Sequence, residues 1–418
     1  MLKNAIYAQS GGVTAVINAS AAGVITACRK YSDQIGKLYA ASNGILGVLH
    51  EELIDTSLNT DAEIAQLSKT PGGAFGSCRY RLKSLEQNRR EYERLIEVFA
   101  AYNIGYFFYN GGNDSADTCL KVSQIAEELG YPLCAIHIPK TIDNDLVITD
   151  NCPGFGSVAK YVATSIMEAG FDLVSMCATS TKVFIMEVMG RNAGWIAASG
   201  GVAAANESLP PHMILFPEIA FDEGKFLAKV SDTVNKYGYC VIVASEGIKG
   251  SDGNLLSKSN ATDAFGHSQL GGVAALLANL ITKNLSLKCH YAIADYLQRS
   301  ARHIAAKVDV EQAYQLGYVG VELAIQGHNS IMPYIKRIAN TPYQWEISHT
   351  LLSNVANYEK YMPQDFITAD GFNITDKCRE YILPLMQGED YPVYNNGLPQ
   401  YIRLNNIKVP KKLPLFDK

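Results

Sequence analysis

Ile138–Leu146 reads IPKTIDNDL. It closes an apolar run, Leu133–Ile138, with the length and character of a strand buried on both faces of a parallel sheet. In open α/β sheets, ligands gather beyond the carboxyl ends of such strands. Here that end carries Lys140, Thr141, Asp143, Asn144 and Asp145: one cation, two carboxylates and two neutral hydrogen-bonding side chains. A surface turn needs one or two such groups, whereas a site that removes a proton beside a phosphate needs most of them. The competing reading is a polar strand-to-helix loop without chemistry.

The same pattern recurs on both sides. Asn4–Ala8 reads as a strand running into Gln9-Ser10-Gly11-Gly12, with a helix predicted over Val13–Tyr31. Gly11 and Gly12 would let backbone N–H groups approach an anion at the helix start. The turn is neither GxxxxGK[ST] nor GxGxxG, so an ordinary tight turn also explains it. The strand Ile104–Tyr109 stops at Asn110-Gly111-Gly112-Asn113-Asp114-Ser115, where helix capping accounts for part of the polarity. Lys182–Met189 ends in Met189-Gly190-Arg191, and Tyr239–Ala244 ends in Ser245-Glu246-Gly247. Between the first strands, Thr70–Lys83 places Arg79 and Arg81 among small residues, as a phosphate-gripping loop would; two solvated arginines are the plainer reading. Pro153–Ala159 matches GxGxxA but lacks the apolar strand that a dinucleotide fingerprint requires, and a helix start suffices there.

Repeated strand, polar turn and helix predict an α/β fold with doubly wound sheets, in two domains that share crossovers. Ile248–Gln269 reads as an irregular loop, Asp309–Ile325 as a long helix, and the chain beyond about Thr341 as irregular. At 418 residues, 48% hydrophobic and 18% charged, the chain has the composition of an ordinary globular protein. A net charge of −5 argues against a nucleic-acid partner and requires any anion site to be a local basic cluster. Nine scattered cysteines without a CxxC pair suggest reduced thiols in a cytoplasmic protein. No signal peptide and no membrane span are expected.

In this order, SGG near the start, GGNDS, PKTIDND, EVMGR, SEG and YLQR resemble the phosphofructokinase family, and within it the pyrophosphate-dependent branch. The motifs span residues 10 to 299, with PKTIDND followed by MGR the most specific pair. The resemblance implies two Rossmann-like α/β/α domains with the active site in the cleft between them. The donor domain would comprise residues 1–155 plus about 297–345, and the sugar-phosphate domain residues 156–296 plus part of 346–418, with the C-terminal tail packed on the body. It implies phosphorylation of the 1-hydroxyl of fructose 6-phosphate with magnesium. Asp143 would be the base, Arg191 would face the transferring phosphoryl group, and Thr141 and Asp145 would align acceptor and metal. Ile142, Met189, Gly190, Glu246, Tyr296 and Arg299 would line the sugar phosphate. Lys182 would come from a neighbouring subunit, making the protein a homodimer or homotetramer with shared sites.

Gly11, Gly12, Arg79, Gly112 and Lys140 would hold pyrophosphate. The donor inference rests on two positions. Asp114 stands where the ATP-using branch has glycine and would repel an α-phosphate, and Lys140 stands where many ATP enzymes have glycine. Three departures from the family pattern remain. Asn113 replaces the usual metal-binding aspartate and would offer magnesium an uncharged carbonyl oxygen, His290 stands in place of a second inter-subunit arginine, and GGAFGSCRY does not align with the ATP-branch loop. An ATP-dependent sugar-phosphate kinase, a catalytically silent sugar-phosphate-binding paralogue and, more remotely, a dinucleotide oxidoreductase are the alternatives.

Overall fold

The computed structural model describes residues 2–80, 82–257 and 272–416. Arg81, most of the expected loop Ile248–Gln269 and Gly271 therefore lie partly or wholly outside the described residues. Eleven strands carry the architecture in chain order: β1 (Asn4–Gln9), β2 (Leu38–Ala41), β3 (Leu53–Asp55), β4 (Ile104–Gly111), β5 (Cys134–Pro139), β6 (Val183–Val188), β7 (Met213–Leu215), β8 (Cys240–Ser245), β9 (Cys289–Ile293), β10 (Ile331–Asn340) and β11 (Tyr343–Leu351). The chain divides into two compact units. The first comprises Met1–Gly154, Lys307–Glu359 and Gly388–Lys418; the second comprises Phe155–Ala306 and Lys360–Gln387. The return to the first unit was expected near residue 297. It follows Ala306 instead, because the chain just before Lys307 stays tied to the second unit through the Ala306 N–H, which donates to Ser157 Oγ at 3.2 Å.

The first unit is built on one sheet of order β11-β10-β5-β4-β1-β2-β3. Its centre, β2-β1-β4-β5, is parallel, so every one of these strands ends on the same side. β4 shows why the sheet must be covered on both faces. Phe107 and Tyr109 enter one apolar cluster and Phe108 the opposite one, as the two-residue period of a strand dictates. The helix Arg89–Ala101 covers the first face with Tyr92, Leu95, Ile96 and Phe99, the spacing of one apolar helical stripe. Ile17–Lys30 and Lys307–Ile325 supply the second face. The helix after β1, predicted to start at Val13, starts at Ile17.

The sequence reading missed the hairpin of β10 and β11, which pair antiparallel from Ile331↔Leu351 to Asn340↔Tyr343. The chain past Thr341 was read as irregular, yet Tyr343, Trp345 and Ile347 alternate with Gln344, Glu346 and Ser348. That period of two was the available signal. The last residues of the first unit also have a fixed anchor. The buried Glu51 carboxylate accepts Arg94 Nη2 at 2.9 Å, Tyr102 Oη at 3.0 Å and the Lys412 N–H at 2.7 Å.

The second unit has a four-stranded parallel sheet of order β7-β8-β6-β9. Val183, Ile185, Ile242 and Ala244 pack with Phe226 and Val230 of the helix Glu223–Tyr237 and with Leu277 and Ile281 of the helix Val273–Leu285. Glu187 on β6 accepts the N–H groups of Gly272 and Ala274 at 3.0 and 2.8 Å, so a buried strand carboxylate caps that helix start.

Candidate active site

In the first unit the expected donor residues converge at the carboxyl ends of β1, β4 and β5, which are adjacent in the sheet. Lys140 is 3% exposed, and its ammonium donates to Ser10 O at 2.8 Å and Gly12 O at 2.7 Å. Its own N–H donates to Gly111 O at 2.9 Å. One residue thereby joins all three polar turns. Gly11 has φ +76°, so the backbone calls for glycine, while a Cβ there would make only ordinary contact with Lys140 Nζ at 3.5 Å. Gly112 immediately precedes the helix Asn113–Glu128, and Asp114 is half-buried in its first turn. The first N–H groups of a sixteen-residue helix favour an anion at this end. Arg79 is exposed and directly follows Cys78, which bridges Ser10. His137, buried under these turns, is kept neutral by burial and then by Lys140, with its pKa lowered to about 3.

Beyond β5 the loop is held from within. Thr141 Oγ1 accepts the Asp143 N–H at 3.1 Å, and buried Asn144, at φ +55°, accepts the Cys152 N–H at 2.9 Å. Ile142 is buried, while Asp143 and Asp145 are half-buried on either side of Asn144. Asp145 Oδ1 is buried without a hydrogen-bond partner among the described residues. Burial and then the Asp143 carboxylate push Asp145 well above the usual carboxylate range, and Glu359 adds to this. An orphaned carboxylate oxygen beside a second carboxylate fits magnesium, which takes one or two protein carboxylates and completes its shell with water and substrate phosphates. Among the described residues no group of three or more His, Cys, Asp or Glu forms a closed metal cage, and magnesium does not need one.

Asn113 was expected to offer its carbonyl to the metal. Its Oδ1 accepts the Asn357 N–H at 2.7 Å and its Nδ2 donates to Tyr358 O, so the amide tethers that segment. Asn357 Nδ2 also donates to Asp117 Oδ1 at 3.0 Å. Asn357 and Glu359 were missed by sequence reasoning, because they lie outside every motif.

In the second unit, Met189, Gly190 and Arg191 follow β6, and Glu246 follows the neighbouring β8. Gly190 has φ +127°, and a Cβ there would meet Ala193 O at 2.8 Å. Its N–H donates to Glu246 Oε1 at 3.4 Å, and its carbonyl accepts Ser245 Oγ at 2.6 Å. Gln298, 1% exposed, accepts the Met189 N–H at 3.3 Å and ties the helix Asp295–Ser300 to this turn. Ser245 and Gln298 had no role in the sequence reading, although both stand inside its motifs SEG and YLQR. The Arg299 guanidinium lies 3.9 Å from the Tyr296 ring centroid, a cation–π contact that helps to aim it.

Lys182 does not join this group within one chain. It precedes β6, at the end away from Met189, about 20 Å along the strand. Its ammonium donates to the carbonyls of Cys177 and Ala178. His290 pairs in register with Phe184 near the same end and is exposed.

The sequence model described as Phosphofructokinase matches residues 4–324. A pyrophosphate–fructose 6-phosphate 1-phosphotransferase from Halomonas elongata is 62% identical over 413 residues, 99% of each chain. One of the same name from Methylococcus capsulatus is 61% identical over 98% of each chain. The crystal structure of a pyrophosphate-dependent phosphofructokinase from Nitrosospira multiformis superposes with a TM-score of 0.92 at 62% identity, covering all of both chains.

Glu246 yields a test. Burial chiefly raises its carboxyl from 4.5 to about 7, Glu187 adds to the rise, and the Gly190 N–H and Arg191 oppose it. The folded state thus holds a proton that the unfolded chain releases near 4.5. Stabilisation from that proton is complete below 4.5 and lost as pH rises through 7. At pH 8 the charged side chain then costs on the order of 1–3 kcal/mol. Glu246→Gln is expected to stabilise the protein by that order at pH 8, with a smaller gain at pH 5, in denaturant titrations. A gain independent of pH would contradict this.

Proposed function

The chain belongs to the phosphofructokinase family, and we propose that it transfers a phosphoryl group from pyrophosphate to the 1-hydroxyl of fructose 6-phosphate, giving fructose 1,6-bisphosphate and phosphate. The observation that carries this reading is the Lys140 ammonium, buried and held at 2.8 and 2.7 Å by the carbonyls of the Ser10–Gly12 turn. A fixed positive charge beside that turn supports reading it as a phosphate cradle, and Asp114 lies in the first turn of the helix after β4. A nucleotide would have to set its α-phosphate against the Asp114 carboxylate; pyrophosphate has no group to place there. This is the point at which the ATP-dependent reading loses ground.

The residues divide the chemistry as follows. Asp143 takes the proton from the sugar hydroxyl. A carboxylate of ordinary basicity suffices, because the hydroxyl proton becomes far more acidic as its oxygen attacks phosphorus. Thr141, through its bond to the Asp143 N–H, fixes where that carboxylate points. Lys140, the N–H groups at Gly12 and Gly112, and Arg79 hold pyrophosphate, and Lys140 meets the charge on the leaving phosphate; the Gly11 N–H, expected to join them, is already taken by Cys78 O at 3.0 Å. Arg191 stabilises the equatorial oxygens of the transferring group. Asp145 and Asp143 would hold magnesium, which when bound would supply charge neutralisation for the phosphates. Met189, Gly190 and Glu246 bind the sugar, and Tyr296 and Arg299 bind its 6-phosphate. Pyrophosphate hydrolysis releases little more free energy than the sugar ester conserves, so the reaction runs in both directions.

Intact Asp143, Asp145 and Arg191 speak against the silent paralogue, and no dinucleotide fingerprint supports an oxidoreductase. The described residues contain no helix long and apolar enough to cross a membrane. The nine scattered cysteines, all free thiols, support a cytoplasmic setting. Initial rates with fructose 6-phosphate and magnesium, comparing pyrophosphate with ATP, test the function. A strong preference for pyrophosphate is expected, and faster turnover with ATP would overturn the donor assignment.

We also propose a homo-oligomer that shares sugar-phosphate sites. The support lies in the second unit. The edge strand β9 exposes Tyr291 and Ile293, and the helix Phe155–Met176 exposes Met167, Phe171 and Val174. A second copy covering them would bring Lys182 and His290 to a neighbouring site. Phe171→Glu is expected to shift the sedimentation coefficient towards monomer and to raise the KM for fructose 6-phosphate. A wild-type monomer would contradict the proposal.

A further inference from the structure

Residues 388–416 cross the first unit as an extended strap whose only regular structure is the two-residue strand pair Tyr394–Asn395 and Leu398–Pro399. Two of its residues hold the Thr70–Cys78 loop. The Ile402 N–H donates to Thr70 Oγ1 at 3.1 Å, and Asn406 Nδ2 donates to Ala74 O at 2.7 Å. The same two loop residues are gripped from the other side by Asn18, fully buried in the helix Ile17–Lys30. Asn18 Nδ2 donates to Thr70 O at 2.8 Å, and its Oδ1 accepts the Ala74 N–H at 3.0 Å.

The far end of the loop closes on the turn that holds Lys140. Cys78 O accepts the Gly11 N–H at 3.0 Å, and Ser77 Oγ donates to Gly11 O at 2.8 Å. The strap itself is pinned elsewhere. The Val409 N–H donates to Leu53 O at 2.8 Å, the Lys412 N–H reaches the buried Glu51 carboxylate, and Lys69 pairs with Asp390 at 3.1 Å. Its position is therefore set by the body of the unit, and it imposes that position on the loop.

We propose that the C-terminal strap positions the donor half of the site: Asn406 and the Ile402 backbone fix the Thr70–Cys78 loop, which fixes the Ser10–Gly12 turn that grips pyrophosphate. The inference rests on reading that turn as the pyrophosphate cradle. The loop contains Gly72, Gly73 and Gly76, and such a segment has much conformational freedom to lose. Held in place beforehand, it adds no ordering cost when the donor binds; released, it must be ordered at the expense of donor affinity. Asn406 and Ile402 are positioning residues with no assigned contact to substrate.

The test compares steady-state constants of wild type, Asn406→Ala, Asn406→Asp and Asn406→Gln. Asn406 is exposed, so folding should survive each change. Asn406→Ala and Asn406→Asp both lack the donor, and each should raise the pyrophosphate KM about threefold to tenfold. The fructose 6-phosphate KM and the thermal midpoint should stay near wild type, and Asn406→Gln, which keeps a donor, should recover part of the loss. An unchanged pyrophosphate KM, or equal rises for both substrates, would overturn the inference while leaving the proposed function standing. A wild-type enzyme with no activity on pyrophosphate would overturn both.

Discussion

A lysine ammonium shut away from water must find oxygen atoms or lose its charge. Lys140 finds two in the carbonyls of Ser10 and Gly12, while its own backbone ties to Gly111. This contact binds the ends of β1, β4 and β5 into a single turn cluster. Gly11 in that cluster is required by its backbone, whose φ of +76° favours glycine. The polar turns are consequently parts of one electrostatic arrangement, with the cation fixed before any phosphate arrives. Preorganised charge of this kind needs no rearrangement during the reaction.

Carboxylates mark the converse cost. Glu51 and Glu187 are buried and fully used, one by Arg94, Tyr102 and the C-terminal strap, the other by a helix start. Asp145 and Glu246 are different. Both are raised, mainly by burial, and Asp145 keeps an oxygen with no partner among the described residues. A fold selected only for stability would replace such groups. Their retention at strand ends, beside Asp143 and Gly190, suits groups held for a cation and for sugar hydroxyls.

Much of this was legible in the sequence. Apolar runs ending in polar turns identified β1, β4, β5, β6 and β8, and the motif order pointed to the family. The turns could be seen one by one, but not that Lys140 points back to join them, since a side chain's direction is set by tertiary packing. The β10–β11 hairpin escaped because its alternation sits in a polar, half-exposed stretch. Asn357, Glu359 and the strap contacts at Thr70 and Ala74 join residues hundreds of positions apart, and no local pattern encodes them. The reverse holds for Asn113: its type suggested a metal ligand, and only the fold shows its amide engaged with Asn357 and Tyr358.

Lys140, as the fixed charge of the donor turn, carries the donor assignment. The most direct measurement is the steady-state kinetics of Lys140→Met with both substrates, alongside fructose 6-phosphate binding to the same variant. Loss of kcat by about two to three orders of magnitude, with sugar-phosphate affinity retained, is the expected result. A variant that turns over pyrophosphate at close to the wild-type rate would contradict it.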